Sequence, residues 1–296
     1  MLHDMGVQHP ECPARLTSIE DHLLATGLMQ HLICEAAPKA SREQLLRAHD
    51  GGYIDSLSSA SPHNGLIHLD PDTAMNPHTL SAALHAAGAV VRATDMVLDG
   101  EVENAFCNVR PPGHHACRNH AMGFCFFNNV AVGAAHALEK HGIERVAIVD
   151  FDVHHGNGTE DIFADDHRVM MVSTFQHPFY PYSGTEKVSD LMINIPLAAY
   201  SGGLQFRQAV EQKWLPALNE FMPQMIFVSA GFDAHRDDDM ASLSLVEDDY
   251  AWVTKQIVAM AGRHAKGRLV STLEGGYDLP ALARSVQAHI RELCGI

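Results

Sequence analysis

The sequence predicts an α/β architecture, a parallel β-sheet with helices on both faces. Three observations carry this. Five short apolar runs (104–109, 145–151, 168–174, 225–230 and 268–273) are continuous rather than alternating, as in strands buried on both sides. Helix-like segments near 128–142, 203–222, 246–264 and 280–293 fall between or after them. The 296 residues, 46% hydrophobic, suffice for one large core, and no repeat or long linker divides them, so 1–296 reads as a single domain.

Taken in order, residues 76–98 are Ala-rich with helical spacing, Asn76 serving as a cap and Pro77 suiting the first turn. The run 104–109 leads into Arg110-Pro-Pro-Gly-His-His115. The run 145–151 ends in Asp150-Phe-Asp-Val-His-His-Gly-Asn157. After 225–230 comes Gly231-Phe-Asp-Ala-His235, and after 268–273 comes Glu274-Gly-Gly-Tyr277. In such sheets, ligands bind beyond the carboxyl ends of the strands. Four strand ends therefore deliver His, Asp and Tyr to one edge.

Composition excludes several classes of function. Lys and Arg number 20 against 36 Asp and Glu, a net charge of −16, so the basic footprint of a nucleic-acid binder is missing. An acidic surface tolerates or attracts cationic partners. No apolar stretch reaches the roughly 20 residues of a membrane span, and the N-terminus shows no secretory signal. The six cysteines include no CxxC pair, so they read as reduced thiols of a cytoplasmic protein. A homo-oligomer is compatible with all of this.

The residue types at the strand ends suit metal-assisted hydrolysis. In Asp150-x-Asp152-x-His154, alternate residues leaving a strand point the same way. Asp and His are ordinary zinc ligands, and a catalytic site keeps three protein ligands with one open position. Asp233 supplies the third ligand beside Asp152 and His154, and Asp150 then orients a histidine. His114 and His115 follow a stiff Pro-Pro-Gly turn, and imidazoles in a cleft suit proton transfer. Tyr277, after two glycines, can donate to a developing oxyanion.

Together RPPGHHA, GFCFFNN, DFDVHHGNGT, SAGFDAH and EGGY resemble the histone deacetylase superfamily, from His9 to Tyr277. The superfamily includes acetylpolyamine amidohydrolases and acetoin-utilisation proteins. The resemblance implies an arginase-like α/β fold with a parallel, mainly eight-stranded sheet, and hydrolysis of an acylated amine such as acetyl-lysine or an acetylpolyamine. It implies one catalytic zinc on Asp152, His154 and Asp233, with His115 as general base and acid and His114 as its electrostatic partner. Asp150 and Asn157 stand behind the two histidines, and Tyr277 polarises the acyl carbonyl. Gly123, Phe124, Tyr180, Met240 and Gly275 would line the substrate channel, and Arg15 an internal acetate-release cavity. Structural potassium is implied near Asp150, Asp152 and His154, with Ser173 and Thr174 nearby. Asn157 and the Asp-Ala-His at 233–235 resemble the class II-like branch. The resemblance also implies one more strand upstream of the first residues here.

Two other readings remain at this point. A binuclear manganese ureohydrolase of the arginase type needs a second metal with more Asp and His ligands, and gives Tyr277 no role. A non-catalytic acyl-amine binding protein needs neither His114 nor His115. Finally, Asp237, Asp238 and Asp239 directly precede Met240 and read as solvent-exposed, because three adjacent carboxylates are costly to bury unpaired; an ordinary solvated turn, with one of them pairing with Arg236, is the plainer reading, and a cation-attracting lip at the rim of the site the functional one.

Overall fold

The structure is a computed structural model that describes residues 2–296. Three helices open it, α1 (Ala14–Ala25), α2 (Arg42–Leu45) and α3 (Gly51–Ala60), followed by a small antiparallel hairpin, β1 (Ile67–His68) and β2 (Ala74–Met75). Then come α4 (Thr79–Leu98), β3 (Asn104–Cys107), α5 (Asn129–His141), β4 (Val146–Asp150), α6 (Asn157–Phe163), β5 (Val169–Gln176) and β6 (Met192–Leu197). The chain continues through α7 (Gly203–Ala209), α8 (Leu215–Phe221), β7 (Met225–Ala230), α9 (Glu247–His264), β8 (Leu269–Leu273) and α10 (Leu279–Cys294).

The main sheet runs β3-β8-β7-β4-β5-β6, and every neighbouring pair is parallel. Side-chain parity divides the core. Val146, Ile148, Met225 and Phe227 face α4 and α5, whereas Ala147, Val149, Ile226 and Val228 face α1, α9 and α10. Both faces are buried, which is why these strands read as continuous apolar runs. From β4 the chain winds outward through β5 and β6, then returns to the other side of β4 with β7. The β4–β7 boundary is thus the switch point where an open α/β sheet gathers a site.

The predicted elements are largely present, with four differences. The sheet has six strands rather than eight: ahead of β1 the residues form helices, and the extended stretch before α2 docks on α4, Ala40 N donating to Leu84 O (2.8 Å), instead of pairing with a strand. Strand β6 was not predicted. α4 starts at Thr79, and Asn76 accepts from His78 N (2.9 Å), so it closes the turn before the helix. The segment 203–222 is interrupted by a π turn at Val210–Trp214. α4 and α5 are tied by Asp95, which accepts from His136 and His141 (2.8 and 2.7 Å). Arg47 donates to the other nitrogen of His136, which fixes the proton on Nε2 and makes this trio a hydrogen-bonded tie rather than a set of free ligands. No helix among the described residues is long and apolar enough to cross a membrane.

Candidate active site

The alternation along β4 continues past its end. Phe151 and Val153 enter the second core, while Asp150, Asp152 and His154 turn to the opposite side. Asp233, leaving β7, meets them there. His154 Nδ1 lies 3.0 Å from Asp152 Oδ1 and 3.4 Å from Asp233 Oδ2, and one donor atom from each of the three buried residues falls within 4.8 Å of the others. The backbone fixes both carboxylates: Gly275 N donates to Asp152 Oδ2 (2.9 Å) and Val153 N to Asp233 Oδ1 (3.0 Å). Glycine at 275 is obligatory, since a Cβ there would stand 1.9 Å from Asp233 Oδ2.

Two carboxylates buried this closely attract positive charge. Burial and the Asp152 charge push the Asp233 carboxyl up to about 6. Burial opposes charge on His154, but Asp152 and Asp233 outweigh it and raise the imidazole to about 9. Asp233 Oδ2 makes no hydrogen bond. A buried carboxylate oxygen without a partner, facing an imidazole nitrogen and a second carboxylate, has the donor chemistry of a divalent-cation site. The sequence-predicted trio fits a zinc ion on that observation.

His114 and His115 sit beside it, ring centroids 4.1 Å apart. Their loop is pinned by Glu274, whose Oε2 accepts from Gly113 N (2.6 Å) and His114 N (3.1 Å). His114 Nδ1 donates to Asp150 Oδ2 (3.0 Å), and His115 Nδ1 donates to Asn157 Oδ1 (2.7 Å). The surroundings separate the two rings. Burial opposes charge on His114, yet Asp152, Asp150 and Glu274 hold it well above the usual imidazole value. Burial, His114 and His154 push His115 well below that value. With Nδ1 engaged as donor, a neutral His115 presents a bare Nε2, the requirement for a base.

The aromatic residues form a narrow wall. Tyr180 meets the His115 ring edge-on (centroids 5.3 Å), and Phe124 meets Tyr277 edge-on (6.0 Å). Phe124 carries φ 68°, is held by its N–H on Thr73 Oγ1 (3.0 Å), and follows Gly123, where a Cβ would strike the His115 ring at 2.4 Å. Phe179, which the sequence did not single out, stacks on His154 (5.5 Å, 23°). The Arg15 guanidinium lies 4.9 Å over the Tyr277 ring, and Arg15 is fully buried, donating to Gly276 O and Glu274 O. Burial keeps the Tyr277 phenol protonated, its titration pushed well above the usual range.

One sequence expectation fails here. Asp237 and Asp239 are exposed, but Asp238 is buried. It does not form a lip because three backbone donors satisfy it: Met240 N on Oδ1 (2.9 Å), and Tyr277 N (2.6 Å) and Asp278 N (3.0 Å) on Oδ2. Met240 is half-buried beside this anchor. Also unforeseen is the knot behind the site, where Glu11 takes Arg110, Arg15 and His3. Burial would raise the Glu11 carboxyl, but His3, Arg110 and Arg15 outweigh it and hold it well below the carboxylate range.

A parallel α/β sheet whose switch point gathers a cation-ready carboxylate–imidazole trio, a paired set of histidines and a half-buried tyrosine defines a class of metal-site protein. Within that class, the chain belongs to the histone deacetylase family. The histone deacetylase domain model matches residues 9–293. A probable deacetylase of Archaeoglobus fulgidus is 40% identical over 287 residues, covering 94% of this chain and 79% of that protein. The histone deacetylase-like amidohydrolase of Pseudomonas aeruginosa is 40% identical over 296 residues, covering 98% and 77%. The crystal structure of the HDA15 HD domain matches with a TM-score of 0.93 at 33% identity, over 100% of this chain and 88% of that one.

Proposed function

We propose that this chain is a zinc-dependent deacylase that hydrolyses the amide between an acyl group, acetyl above all, and an amine such as a lysine side chain or a polyamine. The observation that carries the reading is a buried Asp152–His154–Asp233 trio standing next to a His115 whose Nε2 is bare. Zinc, when bound there, would supply Lewis acidity toward the amide carbonyl and acidify water.

The chain's own residues supply the rest. His115 Nε2 takes the proton from water as the water oxygen bonds to the carbonyl carbon. The Tyr277 hydroxyl donates to the developing oxyanion. As the C–N bond breaks, His115 returns its proton to the leaving amine. His114, with Nδ1 on Asp150, holds positive charge beside the negative charge that develops. Phe124 and Tyr180 exclude water from the acyl chain and favour an unbranched apolar stem. Ser173 and Thr174 lie on β5, with Ser173 in register with Asp150, and that strand end, together with Asp152 and His154, suits the structural potassium that the family resemblance implies.

The test is kcat/KM on acetyl-lysine peptides, acetylputrescine, acetylspermidine and longer acyl-lysines, with zinc content measured in parallel. One zinc per chain is expected, with turnover abolished in Asp233→Ala or Asp152→Ala. Full turnover in a zinc-free variant would overturn the zinc reading. A zinc-loaded chain inert toward every substrate would overturn the deacylase reading, and two metals per chain would favour ureohydrolase chemistry.

A further inference from the structure

We infer that Cys117 and Met122 are positioning residues whose sulfurs hold the Asn157 amide in the one orientation that leaves His115 Nε2 free to take a proton. The inference rests on the proposed role of His115 as the base. An asparagine has two unlike ends: its oxygen only accepts and its nitrogen only donates. With Oδ1 toward His115, the imidazole must carry its proton on Nδ1 and Nε2 is bare. Rotated by half a turn, Nδ2 would face Nδ1, the ring proton would move to Nε2, and the base would be blocked. An aspartate in this place would pose no such problem, because both of its oxygens accept.

The structure supplies a device that selects between the two orientations. Asn157 Nδ2 donates to Met122 Sδ (3.2 Å) and to Cys117 Sγ (3.4 Å). A thioether has no proton to give, so Met122 can be satisfied only by the nitrogen end. Cys117 gives its own proton to His115 O (3.6 Å), leaving its lone pairs for Asn157. Burial pushes that thiol up to about 12, so it stays protonated. The loop is folded to present both sulfurs: Cys117 N donates to His120 O (3.0 Å), Cys125 N to Met122 O (2.9 Å), and Arg118 N to Asp161 on α6 (2.8 Å). Nothing in the proposed reaction itself uses either sulfur.

The test compares the whole 296-residue chain, loaded with zinc, with Cys117→Ala/Met122→Leu and with Met122→Leu alone, which nearly conserves volume and guards against a folding failure in the pair. Two readouts are taken. The first is kcat and KM on an acetyl-lysine peptide. The second is the His115 tautomer by NMR of ¹⁵N-histidine-labelled protein, its resonances identified by loss in His115→Gln. In the wild type Nδ1 should carry the proton. In the double variant the Nε2-protonated form should appear, and kcat should fall on the order of 10-fold or more with KM changed by less than about twofold and zinc content unchanged. Cys117→Ser, which restores a donor and acceptor, should recover most of what Cys117→Ala loses. A double variant that keeps the wild-type tautomer, or that keeps full kcat, overturns the inference. If the wild type itself hydrolyses no acyl-amine, the functional reading fails, while the tautomer still decides the orientation.

Discussion

Asp238 gives its two oxygens to three backbone N–H groups, and two of those belong to Tyr277 and Asp278. The phenol is therefore placed from the backbone side by a carboxylate that touches nothing reactive. Asp238→Asn turns one acceptor into a donor facing an N–H, so the Gly-Gly-Tyr loop should loosen. The expected result is a fall in kcat on the order of 10-fold with little change in KM, against roughly 10²- to 10³-fold for Tyr277→Phe. Because both act through one hydroxyl, the double variant should be no worse than Tyr277→Phe alone. Losses that multiply would show that Asp238 works by another route. At this scale, the chemistry-bearing side chains were legible because His, Asp and Tyr recur at strand ends. Their supports were not: any carboxylate can accept a backbone N–H, so nothing in the letters separates Asp238 from exposed Asp237 and Asp239, or reveals Glu274 beneath Gly113 and His114.

Strand β4 shows why most of the sheet was readable. Its five residues are all buried, and its parity runs on unbroken through Phe151 and Val153, so one apolar run specifies both the strand and the direction of Asp150, Asp152 and His154. Strand β6 shows the opposite case. It is an edge strand with a partly exposed burial pattern and carries Asn194 and Pro196, residues that central strands avoid, so its pattern resembles a loop. Helix α6 was hidden for a different reason. It starts at Asn157, inside the motif that reads as a strand-end loop, and its seven residues are too few to show a period. Helices α1 to α3 precede every strand in the chain, where alternation of strand and helix gives no guide.

For the molecule as a whole, two histidines on opposite sides of the sheet are buried neutral. His49 donates from Nδ1 to Cys117 O (3.0 Å) and accepts Asn128 N–H on Nε2 (2.9 Å), and burial pushes it down to about 4. His289 bridges Thr254 and Ser271 (2.7 and 2.8 Å), and burial pushes it down to about 3. Both lie below the unfolded value near 6.5, so the unfolded chain binds more protons between these limits. Their contribution is present above pH 6.5 and is lost as the pH falls, through about 4 for His49 and about 3 for His289, on the order of several kcal/mol for the pair. Urea unfolding across that window should show the decline. His49→Gln, which does not titrate, should start less stable at pH 7.5 yet lose less on acidification; an unchanged slope would mean that other groups govern the acid limb. The switch point has a further consequence for the chain as a polymer. Val153 and Asp233, hydrogen-bonded across it, are 80 residues apart in sequence. An ion gripped by Asp152, His154 and Asp233 is then a cross-link closing a long loop, one that the unfolded chain can hold only by surrendering conformational freedom. Such an ion binds the native state far better than the unfolded one, so its removal should be felt throughout the structure, by about 2.7 kcal/mol at a free concentration one-hundredfold above Kd. Chelation should lower Tm and zinc should restore it, whereas a Tm indifferent to chelator would mean that the two halves of the sheet are held in place by packing alone.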